Sequence, residues 1–424
     1  MLSKEENEKL CHVSPGTPMG DVFRRFWNPF LMSSELPHPG CDPVRITLLG
    51  EELVAFRDAS GQLGLLEEGC LHRGASLALG RLEEGGVRCI YHGWKFDFSG
   101  RLLETPNHLD PRVRDRLRAV AYPVREAGGL IWAYMGPPEH QPAFPDWHFM
   151  DLPVENLRVT RVEAEVNYMQ QLEGGADTTH VGILHTNDAR PGWMEEKFVA
   201  TVDETNPAAL ASDDLAPAME FETTEFGFRY ASLRKLRGDT PQRNVRIVPI
   251  AMPSTRVIPS PMVQFVVFEV PMTDTRTATI GITYRLDGKQ VDGHKLDEMG
   301  GRHDPKLFNP ANNHYVGTWA NRFGQDRQRM KDDWSGIRGI VAEDLAIAMS
   351  QGPIVNRAKE HLVAADMALV KARKQLLDSA DRVRNGGTPI GVNADFRQVL
   401  ACDQTVAQGT EWKSLLPLTS AAVA

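Results

Sequence analysis

Two short segments, each with one cysteine and one histidine, constrain this chain more than any other feature. The first is Cys70-x-His72, the second is Cys89-x2-His92, and sixteen residues separate them. Such a set suits a two-iron, two-sulfide cluster in which two thiolates hold one iron and two neutral imidazoles hold the other. Mixed ligands raise the reduction potential above that of an all-cysteine cluster. The spacing therefore predicts two loops that meet around a one-electron carrier.

A structural zinc site is the alternative for these four residues, because tetrahedral zinc accepts two cysteines and two histidines. In zinc sites of that kind the cysteines usually stand together and the histidines stand together. Here each segment is mixed, which favours the iron–sulfur cluster. The other cysteines, Cys11, Cys41 and Cys402, have no neighbouring ligand in the sequence and are predicted to be ordinary thiols.

Length and charge limit the remaining possibilities. A chain of 424 residues with 42% apolar residues exceeds one ordinary core, so two domains are expected. The 47 Lys and Arg against 56 Asp and Glu give a net charge of −9, which disfavours nucleic acid and membrane surfaces as partners. The polar start, the sparse cysteines and the lack of a long apolar stretch predict a soluble, cytoplasmic protein.

Short alternating apolar runs indicate small antiparallel strands from about residue 44 to residue 135, among them VRITLL, ELVAF, GLLEE and LIWAYM. A proline-rich stretch at 136–145 follows and marks a boundary. We therefore predict a segment at 1–40 that packs on the body, an all-β domain at 41–140 and a second domain at 141–424.

The second domain is predicted to be α+β, with a C-terminal helical extension. Its strands are expected in LRVTRVEAEV, FETTEFGFRYASL, VRIVPI, VQFVVFEV and ATIGITYRL, which would form one antiparallel sheet. Helices are expected at 167–185 and 339–352, and a long amphipathic stretch at 354–383, before a less regular tail.

A second group of candidate metal ligands lies in NYMQQLEGGADTTHVGILH, which contains Glu173, Asp177, His180 and His185. Two histidines and one carboxylate are the ligands of non-haem Fe(II) oxygenases, which leave other positions open for dioxygen and substrate. On a regular helix, at about 100° per residue, His180 and His185 would point about 140° apart. Convergence on one metal therefore requires a widened turn or a break near Gly182.

The third iron ligand is expected in DDWSGIRGIVAEDLAIAMSQGPI, which offers Asp332, Asp333, Glu343 and Asp344. We choose Asp344 and keep Glu343 as its nearest rival. Asp344 opens an apolar helical run that would hold its backbone rigidly. For an aromatic acid as substrate, Arg246 is the favoured cation, since a strand that begins near Asn244 would leave Arg243 in a loop. The loop TVDETNPAALASDDL at 201–215 has no Lys or Arg, which makes a phthalate-like diacid a poorer fit than a mono-acid or a phenyl ether.

With these motifs together, the chain resembles the Rieske non-haem iron ring-hydroxylating oxygenases, most closely the phthalate-dioxygenase-like branch that includes aryl O-demethylases. The resemblance covers nearly the whole chain and rests on four motifs: Cys70-Leu71-His72, Cys89-Ile90-Tyr91-His92-Gly93-Trp94, LEGGADTTHVGILH and GIVAEDLAIAMSQGPI. One departure is Leu71, where that family commonly has proline, and it should not disturb ligation.

The resemblance implies an all-β Rieske [2Fe-2S] domain followed by a helix-grip (START-like) catalytic domain. It also implies a homotrimer, or stacked trimers, in which the cluster of one subunit faces the Fe(2+) of the next. Asp177 would then be a bridge between His180 and His92 of the adjacent chain rather than a ligand. Electrons from NADH would arrive through a separate flavin/iron–sulfur reductase.

Three function classes remain open at this stage. The first is a terminal oxygenase that hydroxylates an aryl carboxylate or a phenoxybenzoate-like compound, or that removes a methyl group from a methoxylated aromatic acid. The second is a non-catalytic Rieske electron carrier, and the third is a zinc-stabilised binding protein. A carrier needs only the domain that ends near Gly136, whereas this chain continues for almost three hundred residues with a second iron-type site.

Overall fold

The computed structural model describes residues 2–108, 110, 112–185, 214–236, 241–260 and 262–416. Within them the strands are β1 Trp27–Met32, β2 Val44–Leu48, β3 Glu51–Arg57, β4 Leu63–Glu67, β5 Arg81–Glu83, β6 Gly86–Arg88, β7 Lys95–Phe96, β8 Leu102–Glu104, β9 Val124–Ala127, β10 Leu130–Tyr134, β11 Arg158–Ala164, β12 Ala218–Thr224, β13 Gly227–Lys235, β14 Gln242–Ala251, β15 Thr255–Pro259, β16 Val263–Thr273, β17 Arg276–Arg285 and β18 Cys402–Ala407. The helices are α1 Lys4–Cys11, α2 Pro18–Arg24, α3 Arg112–Arg116, α4 Tyr168–Ala176, α5 Gly293–Gly300, α6 Ile340–Ser350 and α7 Met367–Arg384.

The first half of the chain is built from three small antiparallel sheets, as the alternating runs predict. Strands β2, β3 and β4 form one sheet, and β5 to β8 form a second. The third sheet has the order β1-β10-β9, so the segment before residue 40 contributes one of its strands. A separate small core contains Cys70, Cys89 and Trp94, which places the predicted cluster ligands inside the β-rich region.

The second half is dominated by one eight-stranded antiparallel sheet of order β11-β17-β16-β15-β14-β13-β12, with β18 added on β14. Helix α4 packs on this sheet against β15 and β16, and it also contacts α6. Asn167 begins α4 with its side-chain oxygen on the N–H of Met169, and its amide donates to the carbonyls of Cys11 and Asp274. The chain is thus an α+β protein in which α4, the helix before His180 and His185, contacts α6, the helix that carries Asp344.

Several predicted elements have different bounds in the structure. The segment FETTEFGFRYASL is a hairpin, β12 and β13, which turns before Gly227. In the amphipathic stretch at 354–383, only Met367 onward is a long helix, because Arg357 is drawn into the core by Glu173 instead of continuing a helical repeat. The tail contains β18, which the sequence reading missed, since that strand depends on its pairing with β14.

The N-terminal segment is held to the catalytic half by buried polar contacts. Glu173 on α4 accepts hydrogen bonds from Arg357 and from Arg373 on α7. Arg357 also donates to Asn7 and to the sulfur of Cys11 on α1.

None of the helices in the described parts of the chain has the length and apolar character needed to cross a bilayer.

Candidate metal centres

The two predicted cluster segments form loops with the same backbone hydrogen bonds. In the first loop the N–H of Gly74 donates to the carbonyl of Cys70, and in the second the N–H of Gly93 donates to that of Cys89. Gly74 and Gly93 have φ angles of +70° and +77°, which glycine adopts without steric cost. The repeated turn lets each loop direct one cysteine and one histidine towards the same site. This holds although the cysteine and histidine are two residues apart in the first loop and three apart in the second.

The four side chains converge as a two-iron cluster requires. The Nδ1 atoms of His72 and His92 lie 3.0 Å apart, and the cysteines are reduced and buried. Trp94 stacks on His72 with ring centroids 4.8 Å apart and planes 14° from parallel. Two imidazole nitrogens on one side and two free thiols in the apolar core fit the iron pair of a Rieske cluster.

The histidine edge of this centre lies at the surface. Ile90 and Tyr91, which precede His92, are exposed by 59% and 54%. Apolar side chains exposed beside a redox ligand indicate a surface that meets another protein.

Of the two possibilities predicted near Gly182, a widened turn or a break, the structure has a break, and it lies earlier in the chain. α4 ends at Ala176, Asp177 follows with extended backbone angles, and a tight 3-10 turn runs from His180 to Gly182. The predicted helix at 167–185 is therefore too long. Because the helix ends before His180, that residue and His185 are not on one helix. The angle of about 140° that would separate them on a regular helix therefore does not apply, and no π-bulge is needed.

The structure brings His180, His185 and Asp344 together, with one possible ligand atom from each within 4.8 Å of the others. Oδ1 of Asp344 lies 3.1 Å from Nε2 of His185 and 3.6 Å from Nε2 of His180. Two imidazoles and a carboxylate that meet in this way fit a non-haem Fe(II) site.

The rival carboxylate, Glu343, occupies the other side of His185. Its Oε2 atom lies 2.7 Å from Nδ1 of that ring, and its Oε1 accepts a hydrogen bond from Ser335. Burial lowers the pKa of His185, but Asp344 and Glu343 outweigh burial and raise it to about 10. The site therefore has the negative character that a cation requires, and the geometry favours Asp344 as a ligand and Glu343 as the group that orients His185.

Asp177 lies at the start of the His180 turn. Its Oδ1 atom accepts hydrogen bonds from the N–H and hydroxyl of Thr179, both at 2.7 Å, and its Oδ2 lies 3.3 Å from Nδ1 of His180. Burial raises the pKa of Asp177, but His180 and Thr179 outweigh burial and bring the pKa down to about 2. The residue is thus a carboxylate that contacts the ring edge remote from Asp344.

Strand β13 supports this turn through two residues that the sequence reading missed. The hydroxyl of Tyr230 donates to the carbonyl of Ala176 at 2.8 Å. Arg234 donates to the carbonyl and the hydroxyl of Thr178, each at 2.9 Å. A period of two along β13 puts both side chains on the face that covers the end of α4, a pattern that becomes informative only once the sheet is known.

Arg246, the predicted substrate cation, lies on the same face of the sheet and is paired with Asp403 at 2.7 Å. Arg243 is on β14 and not in a loop, and it donates to the carbonyl of Thr410. Arg234 has no carboxylate within ion-pair distance among the described residues, and burial lowers its pKa to about 10. The loop at 201–215 lies outside the described residues up to 213.

A cysteine–histidine cluster site on an all-β domain, followed by a two-histidine, one-carboxylate site on an α+β domain, defines a Rieske non-haem iron oxygenase. Family comparison agrees over almost the whole length. Residues 26–115 match the Rieske [2Fe-2S] domain, and residues 133–421 match the family described as LigXa C-terminal domain like. The chain belongs to the Rieske non-haem iron aromatic ring-hydroxylating oxygenases, as an oxygenase component of the phthalate-dioxygenase-like branch.

Similar proteins include both dioxygenases and a demethylase. The oxygenase subunit of phthalate 4,5-dioxygenase from Pseudomonas putida is 34% identical, over 97% of this chain and 94% of that protein. The 3-chlorobenzoate-3,4-dioxygenase subunit from Comamonas testosteroni is 32% identical over 93% of this chain and 92% of that one. The 5,5'-dehydrodivanillate O-demethylase subunit from Sphingobium sp. is 30% identical over 93% and 84% of the two chains.

Solved structures show the same fold at lower identity. The terminal oxygenase of carbazole 1,9a-dioxygenase from Nocardioides aromaticivorans IC177 matches with a TM-score of 0.57 and 21% identity, over 92% of this chain and 98% of that chain. Because the relatives at 30–34% identity are oxygenase subunits, the chain is the terminal oxygenase of a Rieske dioxygenase or monooxygenase system.

Proposed function

We propose that this oxygenase hydroxylates a small aromatic acid, an aryl carboxylate or a phenoxybenzoate-like compound, with O2 and with electrons from NADH. The observation that carries the proposal is the convergence of His180, His185 and Asp344. A bound Fe(2+) would supply the dioxygen chemistry, and a bound [2Fe-2S] cluster would supply single electrons. Three protein ligands leave further positions of the iron for dioxygen and substrate.

The chain's own residues then have distinct tasks. Cys70, His72, Cys89 and His92 hold the cluster. His180, His185 and Asp344 hold the iron, and Glu343 keeps the ring of His185 in place. Asp177 bridges the two metal sites. Its carboxylate contacts the ring of His180, and it can also accept a hydrogen bond from His92 of the adjacent chain.

An anionic substrate is supported by the charges on the sheet face next to the iron turn. That face carries Arg234 and Arg246 but only Asp403 as a described carboxylate partner. The sequence favours Arg246 as the cation that binds the substrate carboxylate. Its ion pair with Asp403 makes it a weaker candidate for that role. Relatives whose names give benzoate-type substrates, 3-chlorobenzoate and phenoxybenzoate, agree with one carboxylate on the substrate.

The assembly we propose is a homotrimer, or stacked trimers, in the cytoplasm, with a flavin/iron–sulfur reductase as the electron donor. Ile90 and Tyr91 are exposed beside His92, and Ile183 and Ile347 are exposed beside the iron-type residues. Apolar surfaces at both ends of the proposed electron path fit a contact between two copies of the chain.

Mixed oligomers test this assembly. We would co-express a Cys89→Ser subunit, which lacks a cluster, with an Asp344→Ala subunit, which lacks the iron. If electrons cross between subunits, the mixture regains part of the turnover that neither variant has alone. An inactive mixture, with mass spectrometry showing that both subunits are present in one oligomer, would contradict the crossing.

The substrate itself is tested by oxygen consumption with a generic reductase over benzoates, phenoxybenzoates and methoxybenzoates, with identification of the products. A cis-dihydrodiol or its rearranged catechol indicates ring hydroxylation. Formaldehyde with a phenol indicates the alternative, oxidative O-demethylation, which the similarity to a demethylase subunit favours as the second candidate. A protein that only accepts and returns electrons, with no oxygen uptake on any compound, would be the non-catalytic carrier.

A further inference from the structure

A cavity of about 290 Å³ is lined by none of the candidate metal ligands. It lies between the first residues of β11, the loop that follows α5 and Met32. Arg158 and Arg161 on β11 and Arg302 after α5 form one wall. The aromatic ring of Phe308, with Pro305 and Pro310, forms an apolar wall. The cavity thus combines guanidinium groups with a surface that suits an apolar body.

The cationic wall is not fully compensated. Arg158 and Arg302 share a single carboxylate, that of Asp297: Arg158 is bonded to Oδ2, and an amino nitrogen of Arg302 lies 3.4 Å from Oδ1. Two cations around one anion leave one positive charge. Arg161 pairs with Glu35 and with Glu163, and Glu163 also pairs with Arg276, so these carboxylates do not cancel that excess.

The same three arginines have hydrogen-bonding capacity left over. The Nε atoms of Arg158, Arg161 and Arg302 are buried, and none of them has a hydrogen-bond partner within the described chain. The side chain of Arg161 is only 9% exposed. Because these Nε atoms have almost no accessible surface, they do not themselves face the cavity; a ligand there would meet the accessible parts of Arg158 and Arg302, whose side chains are 34% and 21% exposed.

We infer that this cavity binds a small organic carboxylate, with its oxygens on the arginine wall and its apolar part against Phe308. Guanidinium forks match the paired oxygens of a carboxylate. The volume and the apolar wall favour an organic acid. An inorganic oxyanion would neither fill the cavity nor contact its apolar wall. The cavity contains none of the candidate iron ligands, and the inference does not rest on the proposed reaction.

The loop that lines the cavity also contacts the start of α6, the helix that carries Asp344. Gly301, which precedes Arg302, is in backbone contact with Gly339 at the start of α6, the helix that carries Asp344. Their φ angles are +71° and +92°; a Cβ on Gly339 would collide with the backbone of Gly301, and a Cβ on Gly301 with the carbonyl oxygen of Arg338. A ligand on Arg302 therefore lies close to the segment that fixes the start of this helix.

Equilibrium dialysis of the full, metal-loaded protein with benzoate tests the inference. We expect Arg302→Gln to weaken one benzoate site on the order of tenfold, because a charge-assisted bond is lost. The matched control is Lys306→Gln, which removes the same charge from an exposed position on the same loop. Equal benzoate binding by the two variants would overturn the inference.

A second variant changes affinity in the opposite direction and does not depend on how well Arg302→Gln folds. Asp297→Asn keeps an acceptor for Arg158 but adds one positive charge, so benzoate should bind several-fold more tightly. Benzamide, which is neutral, should not compete for this site, and inorganic phosphate should compete much more weakly than benzoate. Unchanged affinity in Asp297→Asn, or competition by benzamide or phosphate equal to that of benzoate, would each exclude an organic carboxylate site.

Discussion

Oδ1 of Asp344 lies 3.1 Å from Nε2 of His185, on the opposite side of the ring from Glu343. One imidazole is therefore held between two adjacent carboxylates of α6. The nitrogen near Asp344 faces His180, and the nitrogen on the other side lies 2.7 Å from the Glu343 carboxylate. The two carboxylates should therefore respond differently to substitution.

Asp344→Ala should lose the mononuclear iron and keep the visible spectrum of the cluster. Glu343→Gln should keep most of the iron and bind it about 10- to 100-fold more weakly, as for other partners of metal-bound histidines. Iron analysis after a chelator titration and the spectrum of the cluster check both variants. The assignment is reversed if Glu343→Gln loses all iron while Asp344→Ala retains it.

Asp177→Asn should leave both metals bound and the cluster reducible, but abolish substrate-dependent turnover. The amide keeps the size of the side chain and removes the charge that contacts His180. Stopped-flow reoxidation of the reduced cluster, with and without substrate, measures the effect directly. Loss of iron from this variant would show instead that Asp177 is a ligand.

Arg234→Met should slow cluster reoxidation while the iron stays bound, because Thr178 loses both of its bonds to β13 and Asp177 is held less firmly. The matched control is Arg229→Met on the same strand, which loses an ion pair with Glu222. If the two variants reoxidise at the same rate, Arg234 has no positioning role. An EPR spectrum of the nitric oxide adduct of the iron would detect a disturbed site.

Arg373→Met should destabilise the protein by about 1.5–3 kcal/mol, because it removes a charge-assisted hydrogen bond to the buried carboxylate of Glu173, which Arg357 still compensates. The side chain of Arg373 is 4% exposed and contacts both Glu173 and Glu360. Lys374→Met, the neighbour on α7 with a 74% exposed side chain, should change stability by no more than about 0.5 kcal/mol. Urea unfolding at one fixed protein concentration compares the two, and equal effects would show that the network contributes little.

Low pH should remove the contribution of Glu163 to the free energy of unfolding. Burial raises the pKa of Glu163, but His314, Arg161 and Arg276 outweigh burial and bring it down to about 2. A folded-state pKa below the unfolded value stabilises the protein above the unfolded pKa, and the effect disappears as the pH falls through the folded pKa. The stability difference between wild type and Glu163→Gln should therefore be largest at neutral pH and shrink from about pH 4.5 towards pH 2. A difference that does not change over this range would contradict the prediction.

The sequence alone determined the chemistry of both sites. Cys70, His72, Cys89 and His92 are close together in the chain, and the alternating runs before and after them predict strands of the all-β domain. His180, His185 and the choice between Asp344 and Glu343 also came from residue types within short segments. Such local patterns are readable because ligand chemistry restricts which residues can stand there.

Only the tertiary structure decided how these residues are held. α4 ends at Ala176, where Tyr230 from a distant strand donates to the carbonyl of Ala176 and Arg234 donates to the carbonyl of Thr178 just beyond it, and no local signal near Gly182 shows this. The pairing of Arg246 with Asp403, and of Arg357 with Glu173, joins residues more than 150 positions apart. A sequence pattern reports local preference, whereas these buried charges are set by which strands and helices meet across the fold.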